Sequence, residues 1–168
     1  ACLFIRHAST STHHRVFVSG GACFEKNVGM TTHKTTIVHG TAVALKGQGA
    51  VLLRGQSGTG KSDIAFQMIE SGWELVGDDQ VSLERRQDAV MVDAVESIRG
   101  LLEVRGVGLV KYPVAPQTPL RLVVDLVPRQ AVVRLPEWET VDLLGVAVVR
   151  LQLHGFDASS PRKVMKAI

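Results

Sequence analysis

The pattern of apolar and polar positions changes character near Thr35. Before it, residues 1–29, ACLFIRHASTSTHHRVFVSGGACFEKNVG, mix short apolar pieces with Ser, Thr, His and Gly and keep no period. From Thr35, TTIVHGTAVAL alternates and is rich in β-branched residues, GQG marks a turn, and AVLLR is a continuous apolar run of the kind a short buried strand shows. SDIAFQMIESG then changes the period: Ile64, Ala65, Met68 and Ile69 share one face at helical spacing, and Gly72 supplies the stop. WELVGDD predicts a second short strand ending in two carboxylates. After a polar turn, ERRQD, the run AVMVDAV predicts a strand, LLEVRGVGLV a segment broken by glycines, and PLRLVVDLV and AVVRL two further strands. VDLLGVAVVRLQL closes the sheet, and SSPRKVMKAI begins as a helix with serine as cap and proline in the first turn. The pattern as a whole predicts an α/β domain with more strand than helix.

Composition narrows this picture. A chain of 168 residues, 45% hydrophobic and 21% charged, suits one compact domain with a true core and is too short for two of ordinary size. We expect residues 30–168 to form that domain and residues 1–29 to be a leader, disordered or an upstream extension; its poverty in acids would also suit a transit peptide. The formal charge of +3 is unevenly placed, because Arg6, Arg15 and Lys26 stand against Glu25 before Met30, leaving 16 basic and 15 acidic residues after it. With only 5% aromatics, that balance does not suit a nucleic-acid-binding face. Cys2 and Cys23 both precede Met30, so the body holds neither a disulfide framework nor a thiolate metal site and reads as cytoplasmic. No run of about 18 apolar residues occurs, and no membrane span is expected.

Chemistry enters with GQSGTGKSD. Gly55, Gln56, Ser57, Gly58, Thr59, Gly60, Lys61 and Ser62 fit G-x-x-x-x-G-K-[ST], with a predicted strand before and a predicted helix after. The glycines let backbone N–H groups close around phosphate oxygens, and the helix starting near Lys61 points its positive end at them. Lys61 should reach the β- and γ-phosphates of ATP and the Ser62 hydroxyl should bind Mg²⁺. With its ammonium in a solvated cleft, Lys61 should matter for transfer and not for folding. Asp78 and Asp79 end the strand after the loop helix, where one carboxylate can hold the metal or its water and one can take a proton from an attacking hydroxyl. GDDQ is also an ordinary acidic β-turn, and sequence leaves both readings open.

In order and spacing, His39 in HG, GQSGTGKSD, LVGDD and LLEVRGVGLV resemble the catalytic domain of HPr kinase/phosphorylase, the bacterial enzyme family that phosphorylates a serine of the phosphocarrier HPr. The resemblance runs from about Thr35 to the C-terminus. It implies a P-loop kinase domain of the phosphoenolpyruvate carboxykinase-like type, with a mixed sheet, and assembly as a homohexamer. His39 matches the active-site histidine, although a lone His in a β-pattern is more often a core residue. Gly55 to Ser62 match the ATP-binding loop, with Lys61 catalytic and Ser62 a magnesium ligand. Asp79 matches the residue that accepts the serine proton, Asp78 sits beside it, and Glu103 matches a second magnesium ligand. Residues 102–111 cover a segment tied to both reactions of the family; Arg105 within it reads equally as a surface or ion-paired arginine. Arg134 matches an arginine that steadies the transferring phosphoryl, within a shorter loop.

Three departures accompany the resemblance. The sequence offers nothing to match the N-terminal domain of long family members, so a short form of the α-proteobacterial type is expected, and Asp63 stands where the family commonly has Glu. In place of a proline- and arginine-bearing loop after the last strand stands HGFDASSPRK, which implies weak or absent phosphorylase activity unless Arg162 folds back. The implied activity is an ATP- and Mg²⁺-dependent protein-serine kinase acting on HPr and regulating a phosphotransferase system. Two other classes remain open on the loop alone: a small-molecule P-loop kinase and a non-catalytic ATP-sensing switch.

Overall fold

The computed structural model describes residues 34–168. Residues 1–29, expected to be a leader, lie outside the described residues. The predicted TTIVHGTAVAL strand is two strands, β1 (Thr35–His39) and β2 (Thr41–Leu45), because the chain changes partners at Gly40. β1 pairs antiparallel with β5 (Gln80–Arg86), whereas β2 pairs antiparallel with β3 (Gly49–Arg54) and β4 (Glu74–Gly77). Between β3 and β4 runs helix α1 (Lys61–Glu70). β6 (Ala89–Ala94) follows β5 as a hairpin, and β7 (Leu101–Val104) with β8 (Gly108–Lys111) forms a separate two-stranded ribbon from the glycine-broken segment. β9 (Thr118–Leu126), β10 (Glu139–Leu143), β11 (Val146–Leu153) and helix α2 (Ser160–Ala167) complete the described chain. Ser159 and Pro161 sit at the start of α2 as predicted, but the Ser159 hydroxyl makes no capping bond.

The nine-stranded sheet runs β1-β5-β6-β9-β3-β2-β4, with β11 beside β9 and β10 beside β11. β3 pairs parallel with β9, and β9 parallel with β11; the other pairings are antiparallel. The sheet is therefore mixed, as expected. β2 and β3 bury both faces, which explains their unbroken apolar sequences. Val43, Val51 and Leu53 face a core shared with Ile64, Ala65 and Met68 of α1, while Ala44, Ala50 and Leu52 face a second core shared with Val81, Leu83 and Val92.

Two expectations are corrected. The polar turn ERRQD is shorter, since Glu84, Arg85 and Arg86 belong to β5 and pair with Met91, Val90 and Ala89. AVVRL is not a strand: a 3-10 turn over Arg129–Ala131 leads into an open loop in which Val133 and Leu135 are exposed. The parallel neighbour of β9 is supplied by the later β11, so AVVRL has no sheet edge to join.

Candidate active site

The phosphate-loop residues lie between the end of β3 and the start of α1. Gly55 holds φ at 154°, and a Cβ there would come within 2.7 Å of Thr59 Oγ1 and 3.2 Å of Leu126. A side chain at this position would both strain the backbone and wedge the loop off β9. Thr59 closes the turn on itself, its amide and hydroxyl both donating to the Gln56 carbonyl at 3.3 and 2.8 Å. The first amides of α1 have no partner within the helix, and they point back toward this loop.

Lys61 does not stand in solvent. It is only 7% exposed, and its ammonium donates to the Gly55 and Gln56 carbonyls at 3.0 Å each. The loop turns two carbonyls inward and gives the lysine acceptors, so the expectation of a solvated ammonium is corrected.

Behind the loop, Arg54 and Asp125 are register partners of β3 and β9. Asp125 accepts from Arg54 Nε at 2.7 Å, from its terminal nitrogen at 2.9 Å and from Arg150 Nε at 2.6 Å. Burial alone would push the Asp125 carboxyl up, but hydrogen bonds and charge from the two arginines outweigh it and hold the group below the usual carboxylate range. The strand that feeds the loop is thereby tied to its parallel neighbour immediately before Gly55.

Asp78 and Asp79 follow β4 and enter opposite surroundings. Asp78 is 8% exposed and accepts from Ser62 Oγ at 2.9 Å, Thr41 Oγ1 at 2.6 Å and the Glu103 amide at 3.2 Å. Asp79 is the middle residue of a tight turn: its φ is 65° and Gln80 N–H donates to the Asp78 carbonyl at 2.8 Å. That left-handed geometry is costly for a non-glycine residue, and such strain gathers at working sites. It turns the Asp79 carboxylate to within 3.2 Å of His39 Nδ1, while the Asp79 carbonyl accepts from Gly40 N–H at 3.0 Å. GDDQ is thus a turn, as the plainer reading had it, and one that faces the phosphate loop.

These residues share one cleft of about 430 Å³, whose lining includes His39, Ser57, Gly58, Gly60, Lys61, Ser62, Asp78, Asp79 and Glu103. A scan against family models matches residues 31–154 to the HPr Serine kinase C-terminal domain. The chain belongs to that family. It is 32% identical over 145 residues to HPr kinase/phosphorylase of Chlorobium phaeobacteroides, covering 77% of this chain and 44% of that protein. It is 43% identical over 77 residues to the Bacillus subtilis protein of the same name, covering 45% of this chain and 24% of that protein. The chain therefore spans less than half the length of these curated relatives. The fold is shared with the HPr(Ser) kinase/phosphatase structure from Coxiella burnetii, with a TM-score of 0.69 at 20% identity, over 78% of this chain and 87% of that one.

Within this HPr serine kinase domain, the residues singled out by sequence do not all converge. Arg105, left open between surface and site, lines the cleft with Glu103 from the β7–β8 ribbon. Arg134 lies in the exposed loop between β9 and β10 and is not among the residues lining the cleft. Arg162 lies on α2 beside Phe66 and Gln67, in a separate groove. Sequence reasoning missed Thr41 and Phe156. Thr41 is fully buried with its hydroxyl on Asp78, and nothing in TAVAL distinguishes it from a strand threonine. Phe156 was detectable as the one large apolar side chain in HGFDASS, a stretch read only for its missing arginines.

Among the described residues, no three His, Cys, Asp or Glu side chains gather into a protein-only metal cage. Mg²⁺ does not need one, because it is commonly held by one or two protein oxygens together with water and substrate phosphates. A hydroxyl at Ser62, a carboxylate 2.9 Å away at Asp78 and the Glu103 side chain in the same cleft fit that requirement. Among the described residues, no helix is long and apolar enough to cross a membrane.

Proposed function

We propose that this domain transfers the γ-phosphoryl group of ATP to a serine of HPr, and so regulates a phosphotransferase system. The observation that carries the proposal is the Asp79 turn: a strained carboxylate, paired with His39, faces the same cleft as Lys61 and Ser62. In this reading the serine hydroxyl oxygen forms a bond to the γ-phosphorus while the bond from that phosphorus to the β,γ-bridging oxygen breaks. The hydroxyl proton passes to Asp79, and ADP leaves. His39 orients the Asp79 carboxylate. Lys61 and the loop amides hold the polyphosphate, and Ser62, Asp78 and Glu103 are the residues that would hold Mg²⁺. When bound, the metal supplies neutralisation of polyphosphate charge, which together with positioning makes up most of such catalysis. A cytoplasmic location and a homohexamer belong to the same proposal.

The reverse reaction, attack of inorganic phosphate on phosphoserine, brings two anions together and needs more free positive charge. Near the 154–160 stretch, Arg129 and Lys163 both pair with Asp157, and Arg162 faces another groove. Incubating phosphorylated HPr with Mg²⁺ and millimolar phosphate should therefore release little pyrophosphate; brisk release would overturn this part of the reading. The forward reaction is tested with labelled ATP, Mg²⁺ and a panel of acceptors. Label on the HPr serine supports the proposal, label on a metabolite would make the protein a small-molecule kinase, and label on nothing would make it a nucleotide switch.

A further inference from the structure

β3, β9 and β11 are parallel neighbours, so their C-terminal ends lie at one edge of the sheet, where ligands of such sheets bind. The loop after β3 is the one proposed to cradle the phosphates. The loop after β11 carries Phe156, which lines the same cleft as Lys61 and Ser62 yet remains 58% exposed. The two loops touch: a Cβ on Gly155 would lie 1.9 Å from the Thr59 carbonyl oxygen, and one on Gly60 would lie 3.3 Å from Phe156 Cε1. Only glycine at 155 lets the second loop sit this close, and it sets the Phe156 ring at the border of the phosphate loop.

The ring is held in place rather than left loose. His154 packs edge-on against it, with ring centroids 5.9 Å apart at 69°, and its Nδ1 lies 3.1 Å from the Val127 carbonyl. Ser160 Oγ donates to the His154 carbonyl at 2.7 Å, and Asp157 is tied to Arg129 and Lys163. A large apolar side chain fixed at the rim of a charged cleft, with over half its surface uncovered, offers what a phosphate cradle lacks: a flat apolar face for the rest of a nucleotide. Phe66, the other aromatic of the cleft, is on α1 and packs partly against the core.

We infer that Phe156 is the stacking platform for the base of the nucleoside triphosphate whose phosphates occupy the Gly55–Ser62 loop. This rests on the nucleotide reading above and adds a base subsite to it. Stacking recognises the π-face that every base has, so the platform distinguishes a nucleotide from a bare polyphosphate.

The test compares binding of Mg·ATP and of magnesium tripolyphosphate, by calorimetry, to the wild-type chain, Phe156→Ala and Phe156→Trp. Phe156→Ala should weaken ATP on the order of 5- to 100-fold and leave tripolyphosphate, which has no base, as in the wild type. Phe156→Trp should restore ATP affinity, and its added fluorescence should respond to ATP and not to tripolyphosphate. Equal losses for both ligands in Phe156→Ala would make the ring a prop for the loop and overturn the inference, as would unchanged ATP affinity. Those outcomes leave the kinase reading standing; a wild-type chain that binds neither ligand would remove both.

Discussion

The floor and the rim of the cleft are built on opposite terms. On the floor, Lys61, Asp78 and Thr41 are buried and their polar atoms are bonded to neighbours in the loop, β2 and the β7–β8 ribbon. On the rim, the side chains of His39 and Asp79 are 52% and 69% exposed and are given one contact to each other. A polyanion must meet groups already fixed, because reorienting them during reaction would cost the stabilisation they provide. In the proposed reaction a protein hydroxyl arrives from solvent, so the group that would receive its proton has to stay open to approach. The difference predicts that floor substitutions weaken folding and transfer together, and that rim substitutions weaken transfer without weakening the fold.

The largest effect is expected for Lys61→Ala, which should lower transfer about 10³-fold or more by removing the cation proposed to face the phosphates. It should also destabilise the domain by roughly 1–3 kcal/mol, because two inward carbonyls lose a charged donor. Transfer assays and thermal denaturation on the same preparation check both halves; an unchanged melting temperature would move Lys61 from the floor to the rim.

Asp79→Asn comes next, with transfer reduced on the order of 10²- to 10⁴-fold, the range for loss of a positioned base, and with ATP affinity retained. Asp79→Gly sharpens the contrast. It should be equally inactive yet more stable by about 1 kcal/mol, since glycine accepts the left-handed backbone freely. Were Asp78→Asn to lose transfer while Asp79→Asn kept it, the two carboxylates would have exchanged roles.

Thr41→Val is nearly isosteric and removes the shorter and more deeply buried of the two hydroxyl donors to Asp78 Oδ1, leaving Ser62 Oγ at 2.9 Å. It should cost roughly 1–3 kcal/mol in chemical denaturation and leave the His39–Asp79 pair undisturbed. The smallest effect concerns pH. The folded carboxyl of Asp125 is held below its unfolded value, so its contribution is complete above the unfolded value and disappears as pH falls toward the folded one. Asp125→Asn should therefore lose about 1–2 kcal/mol at neutral pH, a gap that narrows below about pH 4. A gap that stayed constant across that range would remove the ion pairs as its cause.

The phosphate loop was the most legible part of the cleft in the sequence. A phosphate loop is a local pattern, and the eight residues from Gly55 to Ser62 state their conformation through glycines, a lysine and the flanking apolar runs. Asp78 and Asp79 were expected to end the strand after the loop helix, and they follow β4 directly, which is short and stops at Gly77. What sequence hid was set by partners far along the chain. Gln80–Arg86 looked polar because one of its faces is open, and it became a strand by pairing with both β1 and β6. AVVRL had the composition of a strand and no edge to join. Thr41 acquired its role only when β2 brought it to Asp78, thirty-seven positions later.

The contact of Gly155 with Thr59 also sets an order in time. A ribosome delivers the phosphate loop first and the glycine that closes against it only after β9, β10 and β11 have been made. Pairings of such long sequence separation form slowly. The nascent domain therefore carries the complete loop sequence without a finished cleft until Gly155 has been made, and a polypeptide released before Gly155 would keep that sequence without the surface that closes against it.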